Sequence, residues 1–270
     1  MVYKPQEMPE DVNVTSIHPL VNFAHLLGTI VLFSALAYLG LGLLANQLAT
    51  RISPETEIKI GQQLVSGIAK TESKDSSQQQ YLETLVASLQ QENLTASVPI
   101  TIHLMDKEIA NAAILPGGNI IVTTALLQEA ESENEIAFVL AHELGHHVNR
   151  DPLKALGRSL VFLTVSSVLG IGTGNTDVVT LTGSLTSLHY SRQQESAADV
   201  YALQAIVDKY GHGGSSLNFF ERIKTKEKRG KLASYFSTHP LTESRINYLQ
   251  QIATEKGWRM TGEATKLPNN

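Results

Sequence analysis

The chemistry-bearing residues of this 270-residue chain gather in His142-Glu143-Leu144-Gly145-His146-His147, inside a stretch that is otherwise apolar from Ile136 onward. Positions i and i+4 of an α-helix lie about 40° apart around the axis and one turn apart along it, so His142 and His146 can reach one ion. His147, about 100° further round, cannot join them. Glu143 sits beside the shared face, where a carboxylate can take a proton from water without binding the metal itself. The chain contains no cysteine, so a metal here must be held by nitrogen and oxygen. A catalytic zinc site takes three protein ligands and keeps its fourth position open, and the third ligand has to come from a distant segment. Glu195, in Glu195-Ser196-Ala197-Ala198-Asp199, is the best candidate. Asp199 follows it at i+4, so one helical face presents a ligand together with an acceptor for the outer nitrogen of a ligand histidine. The small residues between them suit close packing against another helix.

These residues need elements to hold them. Ser132 with Glu135 three residues on has the form of a capping box at the head of the His142 helix, and Asp151-Pro152 marks its end. The Glu195 helix spans roughly residues 188–209. Upstream, Ser53-Pro54 opens a helix carrying Ile58, Leu64 and Ile68, residues 71–80 read as a polar linker, and Tyr81, Leu82, Leu85, Val86 and Leu89 form a second helical stripe. Strands are expected at 98–104 and 118–124, the latter entered through Pro116-Gly117-Gly118, with a short edge strand at 111–115. Two amphipathic helices near 215–229 and 242–257 precede a polar tail. The pattern is α+β and mostly helical, with a small mixed sheet.

Composition narrows the partners. Hydrophobic residues make up 42% of the chain, enough for a sizeable core, and a net charge of -5 gives no basic surface for nucleic acid. From Val12 to Thr50 there is no charged residue, and Leu26–Leu44 is an apolar run of 19 residues, close to the length that crosses a hydrocarbon core of roughly 30 Å. Its flank carries Lys4 against Glu7, Glu10 and Asp11, the reverse of a basic leader, so a retained single span is expected instead of a cleaved signal. The expected organisation is a tail (1–19), an anchor in the lipid bilayer (20–49), a catalytic domain (50–257) and a polar tail (258–270). Lys4 before the span against Arg51 and Lys59 after it gives a slight bias toward a cytoplasmic C-terminal domain, too weak to fix the side. Residues 160–174, apolar and Gly/Ser-rich, read as a buried or membrane-skimming hairpin, with a second span as the alternative. Glu221 to Lys231 carries six cations and two acids, a solvated helix face with a lipid-headgroup contact as the alternative.

HELGH, the E-x-x-x-D of Glu195 and Asp199, the upstream Asn111-to-Leu127 stretch NAAILPGGNIIVTTALL and the downstream STHPLTESRI together resemble the membrane-associated gluzincin metallopeptidases of the HtpX and CAAX-prenyl-protease type. The resemblance runs from about Glu57 to about Leu249. It implies a gluzincin domain binding one zinc ion through His142, His146 and Glu195, with Glu143 as general base and polypeptides as substrates. It also implies that Asn111 and His239 approach the substrate or the oxyanion; Arg245 is a further candidate for the oxyanion. His239 could alternatively fill the fourth zinc position at rest. The single span differs from the multi-span prenyl-protease branch and argues against its substrate class. Asn149-Arg150-Asp151 stands where relatives often carry another histidine. The activity implied is endoproteolysis of membrane or misfolded proteins. The competing class is a membrane-anchored chaperone or assembly factor with structural zinc, which would close the site with four protein ligands and need no base.

Overall fold

A computed structural model of the protein describes residues 18–66, 72–73, 75–90, 98–168, 190–218, 238–240 and 243–268. In chain order the elements are α1 (Pro19–Ala49), α2 (Pro54–Val65), α3 (Ser76–Leu89), β1 (Thr101–Met105), β2 (Ala112–Leu115), β3 (Asn119–Thr123), α4 (Thr124–Glu129), α5 (Glu133–Val148), α6 (Asp151–Val168), α7 (Arg192–Tyr210) and α8 (Glu243–Lys256).

Helix α5 is apolar on nearly every face, as a helix surrounded by protein must be, and its residues from Asn134 to His147 are buried. Its head is tied down by three devices. Ser132 Oγ accepts from the Glu135 amide at 3.4 Å, while Glu135 reaches one residue further back than a capping box requires, accepting from the Glu131 amide at 2.9 Å. The Thr265 carbonyl takes the Glu133 amide at 2.9 Å, and Asn134 Oδ1 takes the Thr265 amide at 2.7 Å. Residues 258–268, polar in composition, are therefore docked on the domain, with Trp258, Met260 and Leu267 packed against the core.

Helix α7 crosses α5 at Gly145. A Cβ there would stand 2.8 Å from Ala198 Cα, so glycine is what lets the two backbones approach, despite its cost of about 1 kcal/mol in a helix interior. Ser191 and Gln194 form a reciprocal capping box at the head of α7, and Gly211 closes it in the left-handed conformation at φ 73°. The helix starts at Arg192, four residues later than expected. Helix α3 starts earlier than its apolar stripe, because Asp75 Oδ1 accepts from the amides of Ser77 and Gln78 at 3.0 and 3.1 Å and recruits the polar residues from Ser76 onward.

The sheet has the order β1-β3-β2, with β1 parallel and β2 antiparallel to β3. Gly117 and Gly118 both take positive φ, 79° and 73°, in the turn joining β2 to β3, and a side chain on Gly118 would run into the Pro99 carbonyl. Asn111 pairs with Thr123 through the Thr123 amide and the Asn111 carbonyl at 3.0 Å. Alternation then turns the backbone N–H and C=O groups of Ala112 and Ile114 away from β3, toward an edge that pairs with no strand among the described residues.

Helix α1 is long and apolar enough to cross a membrane; at 1.5 Å per residue its 31 residues span about 46 Å. Its partner is α6, and the pairings Tyr38 with Phe162, Ala45 with Gly157 and Asn46 with Arg158 show the two running antiparallel. Asp151-Pro152 thus opens a helix directly after α5, with proline in the first turn where its missing N–H is not needed. Residues 160–168 continue α6 as helix; 169–174, the rest of the expected hairpin, lie outside the described residues. So do most of the helix expected at 215–229 and the basic run 221–231; residues 214–217 form a turn. Arg150, at φ 56° between α5 and α6, donates to the carbonyls of Thr50 and Ile52 at 3.1 and 2.7 Å and to Glu57 Oε2 at 2.7 Å. It fastens the end of α1 and the start of α2 to the end of the His142 helix.

Candidate active site

His142, His146, Glu195 and His239 are all buried, and one ligand atom from each lies within 4.8 Å of the others. His142 Nε2 is 3.1 Å from His146 Nε2 and 3.4 Å from Glu195 Oε2; His146 Nε2 is 3.6 Å from Glu195 Oε1. His239 Nδ1 completes the group at 3.2 Å from His142 Nε2 and 3.1 Å from Glu195 Oε1. A tetrahedron with metal–ligand bonds of 2.0–2.1 Å has edges of about 3.3–3.4 Å, so the spacing suits zinc.

The tautomers reinforce this. His142 Nδ1 lies 3.0 Å from Asp199 Oδ1, and His146 Nδ1 lies 2.9 Å from Asp151 Oδ2. Each carboxylate holds the proton on Nδ1, which leaves two Nε2 lone pairs facing one another and a carboxylate oxygen. Acceptors converge this way around a cation. Formal charge agrees: Glu143, Glu195, Asp199 and Asp151 against Arg245 and Lys154 leave four negative charges facing two positive, an excess of -2 that one divalent ion cancels. Without an ion, burial of His142 disfavours its charged form, but Asp199 and Glu195 outweigh burial and push it up to about 10. Burial likewise opposes ionisation of Glu195, yet its contacts with His142, His146 and His239 hold its carboxyl far below the usual range.

Glu143 is fully buried and lies on the opposite side of the group. Its Oε2 accepts from the Ile114 amide at 3.0 Å and its Oε1 is 3.6 Å from His239 Nε2. Burial raises its pKa. Asn111 sits at the mouth of β2, its amide donating to Thr123 Oγ1 at 2.8 Å and its buried Oδ1 meeting no partner among the described residues. Arg245 is turned inward. Its Nε and Nη2 donate to the two oxygens of Asp199 at 2.7 Å each, and its Nη1 is 2.8 Å from both Glu195 Oε2 and the Pro240 carbonyl. It braces the carboxylates of Glu195 and Asp199 and the segment carrying His239. His147 is buried away from the cluster, and burial lowers its pKa.

Three participants escaped the reading of motifs. Asp151 is the partner of His146 and also accepts from Gln194 Nε2 at 2.6 Å; its signal was its place five residues past His146 across a turn. Gln194, a capping residue, thereby ties the head of α7 to the same carboxylate. Tyr190 stacks on the His146 ring with centroids 4.0 Å apart, and nothing in its local sequence marks it.

Residues 76–253 match the pattern of Peptidase family M48. The chain is similar to the mitochondrial metalloendopeptidase OMA1 of Arabidopsis thaliana, 32% identical over 155 residues that cover 55% of this chain and 30% of that protein. Its similarity to the protein of the same name from Saccharomyces cerevisiae is 30% over 159 residues, covering 56% and 46%. With the β-barrel assembly-enhancing protease of Escherichia coli K12 it shares 25% over 181 residues, covering 62% and 37%. The chain thus spans less than half the length of these relatives. The resemblance carried by the four motifs holds at the level of the family, within which these relatives are neither HtpX nor prenyl proteases. With HELGH, Glu195 and the His239 segment folded into one buried cluster, this chain belongs to peptidase family M48.

Proposed function

We propose that the protein is a membrane-anchored zinc metalloendopeptidase that cleaves polypeptides presented as extended strands beside the bilayer. The observation that carries this reading is Glu143, buried between the converging ligands and the outward-facing amide of Ile114 on the open edge of β2. A structural zinc site needs no such base. A bound zinc ion supplies Lewis-acid chemistry, acidifying a water molecule to a pKa of about 7 and polarising a carbonyl.

The residues of the chain do the rest. Ala112 and Ile114 offer main-chain groups to which an extended peptide can add as a further strand, a mode that reads backbone and leaves sequence selectivity loose. Asn111 Oδ1 is available to the next amide along. Glu143, released from Ile114 as the peptide takes over that donor, accepts the proton of the attacking water and passes it to the leaving amine. His239 would be a fourth residue able to hold the ion, and its imidazole, whose pKa burial lowers, is also placed to face a developing oxyanion. Arg245 positions Glu195 and Asp199 and does not touch substrate. Misfolded or membrane-embedded proteins are the proposed substrates, since α1 and α6 hold the site beside a bilayer.

Glu143→Gln tests the assignment. It keeps the shape of the side chain, so zinc content should stay at one per chain while cleavage of an unfolded protein such as casein falls by about 10²–10⁴-fold, the usual worth of a general base. Full activity in this variant refutes the role of Glu143, whereas no chelator-sensitive cleavage by the wild type favours the chaperone reading.

A further inference from the structure

We propose that the cleft between the C-terminal end of α1 and the first turns of α6 and α7 binds the phosphate of an anionic phospholipid headgroup. The inference rests on α1 spanning a bilayer, and three features of the cleft carry it.

The first is its level. Below it the α1–α6 pair is apolar, with Tyr38 against Phe162 and with Leu160 and Phe162 exposed. Polar chemistry begins at Asn46 and Arg158, whose Oδ1 and Nη1 lie 3.1 Å apart. The cleft opens at that boundary, where a bilayer gives way from hydrocarbon to headgroups and where long cationic side chains settle. The second is its lining and size. About 710 Å³ in volume, it is walled by Asn46, Lys154, Arg158, Ser191 and Gln193, among others, a set of amide, hydroxyl and cationic donors suited to phosphate oxygens.

The third is its charge balance. Asp151 is the lone carboxylate in the wall, and both its oxygens are engaged, Oδ2 by His146 and Oδ1 by Gln194 and Lys154. Lys154 and Arg158 stand one helical turn apart on α6. Among the described residues Arg158 meets only the neutral Asn46 and no carboxylate, so the cleft carries an unbalanced positive charge facing the headgroup layer. A phosphodiester bearing one negative charge neutralises it. Through Asp151 the bound headgroup would lie one side-chain contact from the zinc ligand His146.

The test uses the full-length, zinc-loaded protein in neutral detergent, offered phosphatidylglycerol or phosphatidylcholine, with bound lipid counted by native mass spectrometry. Wild type should retain phosphatidylglycerol over phosphatidylcholine by roughly five-fold or more for each cation engaged. Lys154→Gln with Arg158→Gln should erase that preference, and Lys154→Arg with Arg158→Lys should preserve it. No preference in the wild type overturns the proposal, whatever the variants do, as does equal phosphatidylglycerol retention by wild type and the double Gln variant. Displacement of the lipid by millimolar inorganic phosphate would make a free anion the occupant and also overturn it. Failure of the anchor itself shows separately, as loss of wild-type flotation with phosphatidylcholine vesicles, which does not depend on the cleft.

Discussion

Replacing Asp151 by Asn probes the zinc centre through a residue that touches neither metal nor substrate. Asp151 is wholly buried, and its Oδ2 holds His146 Nδ1 at 2.9 Å. Asn keeps an acceptor of nearly the same shape but removes the charge that makes His146 a better donor to the metal. Partners of this kind are worth 10–100-fold in metal affinity. The loss here should fall near ten-fold, about 1.4 kcal/mol, because the acceptor survives and Lys154 sheds the charge it was balancing. Asp199→Asn is the internal comparison. Asp199 serves His142 at 3.0 Å and both prongs of Arg245 at 2.7 Å, so its loss also loosens the brace on Glu195 and should approach 100-fold. Competition against a chromophoric chelator measures both, with circular dichroism of the zinc-saturated forms as the folding control. Asp151→Asn within two-fold of wild type, or weaker in zinc binding than Asp199→Asn, would refute the reasoning that each ligand histidine is set by its own carboxylate.

Other outcomes follow from the same geometry. The proton and zinc compete for His142, whose pKa in the metal-free protein is pushed up to about 10, so apparent zinc affinity should rise by about ten-fold per pH unit from this residue alone between pH 6.5 and 8.5. A flat profile in chelator competition would contradict it. The sign for stability is opposite in the metal-free form: a raised folded-state pKa stabilises below the unfolded value of 6.5 and the gain is lost as pH climbs toward about 10, so the melting temperature of the chelated protein should fall over that window. Gly145→Ala gains helix propensity but drives a methyl into the Ala198 backbone at 2.8 Å. We expect a net loss of about 1–2 kcal/mol in thermal melts together with weaker zinc binding, as α7 carries Glu195 away from α5. Arg150→Ala leaves the buried Glu57 without its 2.7 Å partner and should cost about 1–3 kcal/mol; an unchanged denaturation midpoint would show that the clamp is idle.

The clustering of His142, His146 and Glu195 was legible because it is written in helical spacing. His142 and His146 share a face at i and i+4, and Glu195 with Asp199 repeats that spacing, with alanines that fit the Gly145 crossing. The three strands were legible from β-branched runs and the Gly117-Gly118 turn. Asp151 was not, because its approach to His146 depends on the left-handed conformation of Arg150, which no residue type there announces. The direction of Arg245 was equally hidden: an arginine after His-Pro serves an oxyanion or a buried carboxylate according to how α8 packs on α7. The docking of residues 258–268 went unseen because Trp258, Met260 and Leu267 follow no helical or strand period.

The antiparallel pairing of α1 with α6 has a consequence for where a substrate is cut. With Arg158 at the proposed headgroup level, Asp151, beside His146 of the candidate metal cluster, lies seven residues along the same helix, a rise of about 10 Å. An extended chain covers that height in about three residues. On the proposed function this spacing acts as a ruler: a membrane-anchored endopeptidase built this way should cut its substrates within a few residues of the point where they leave the hydrocarbon.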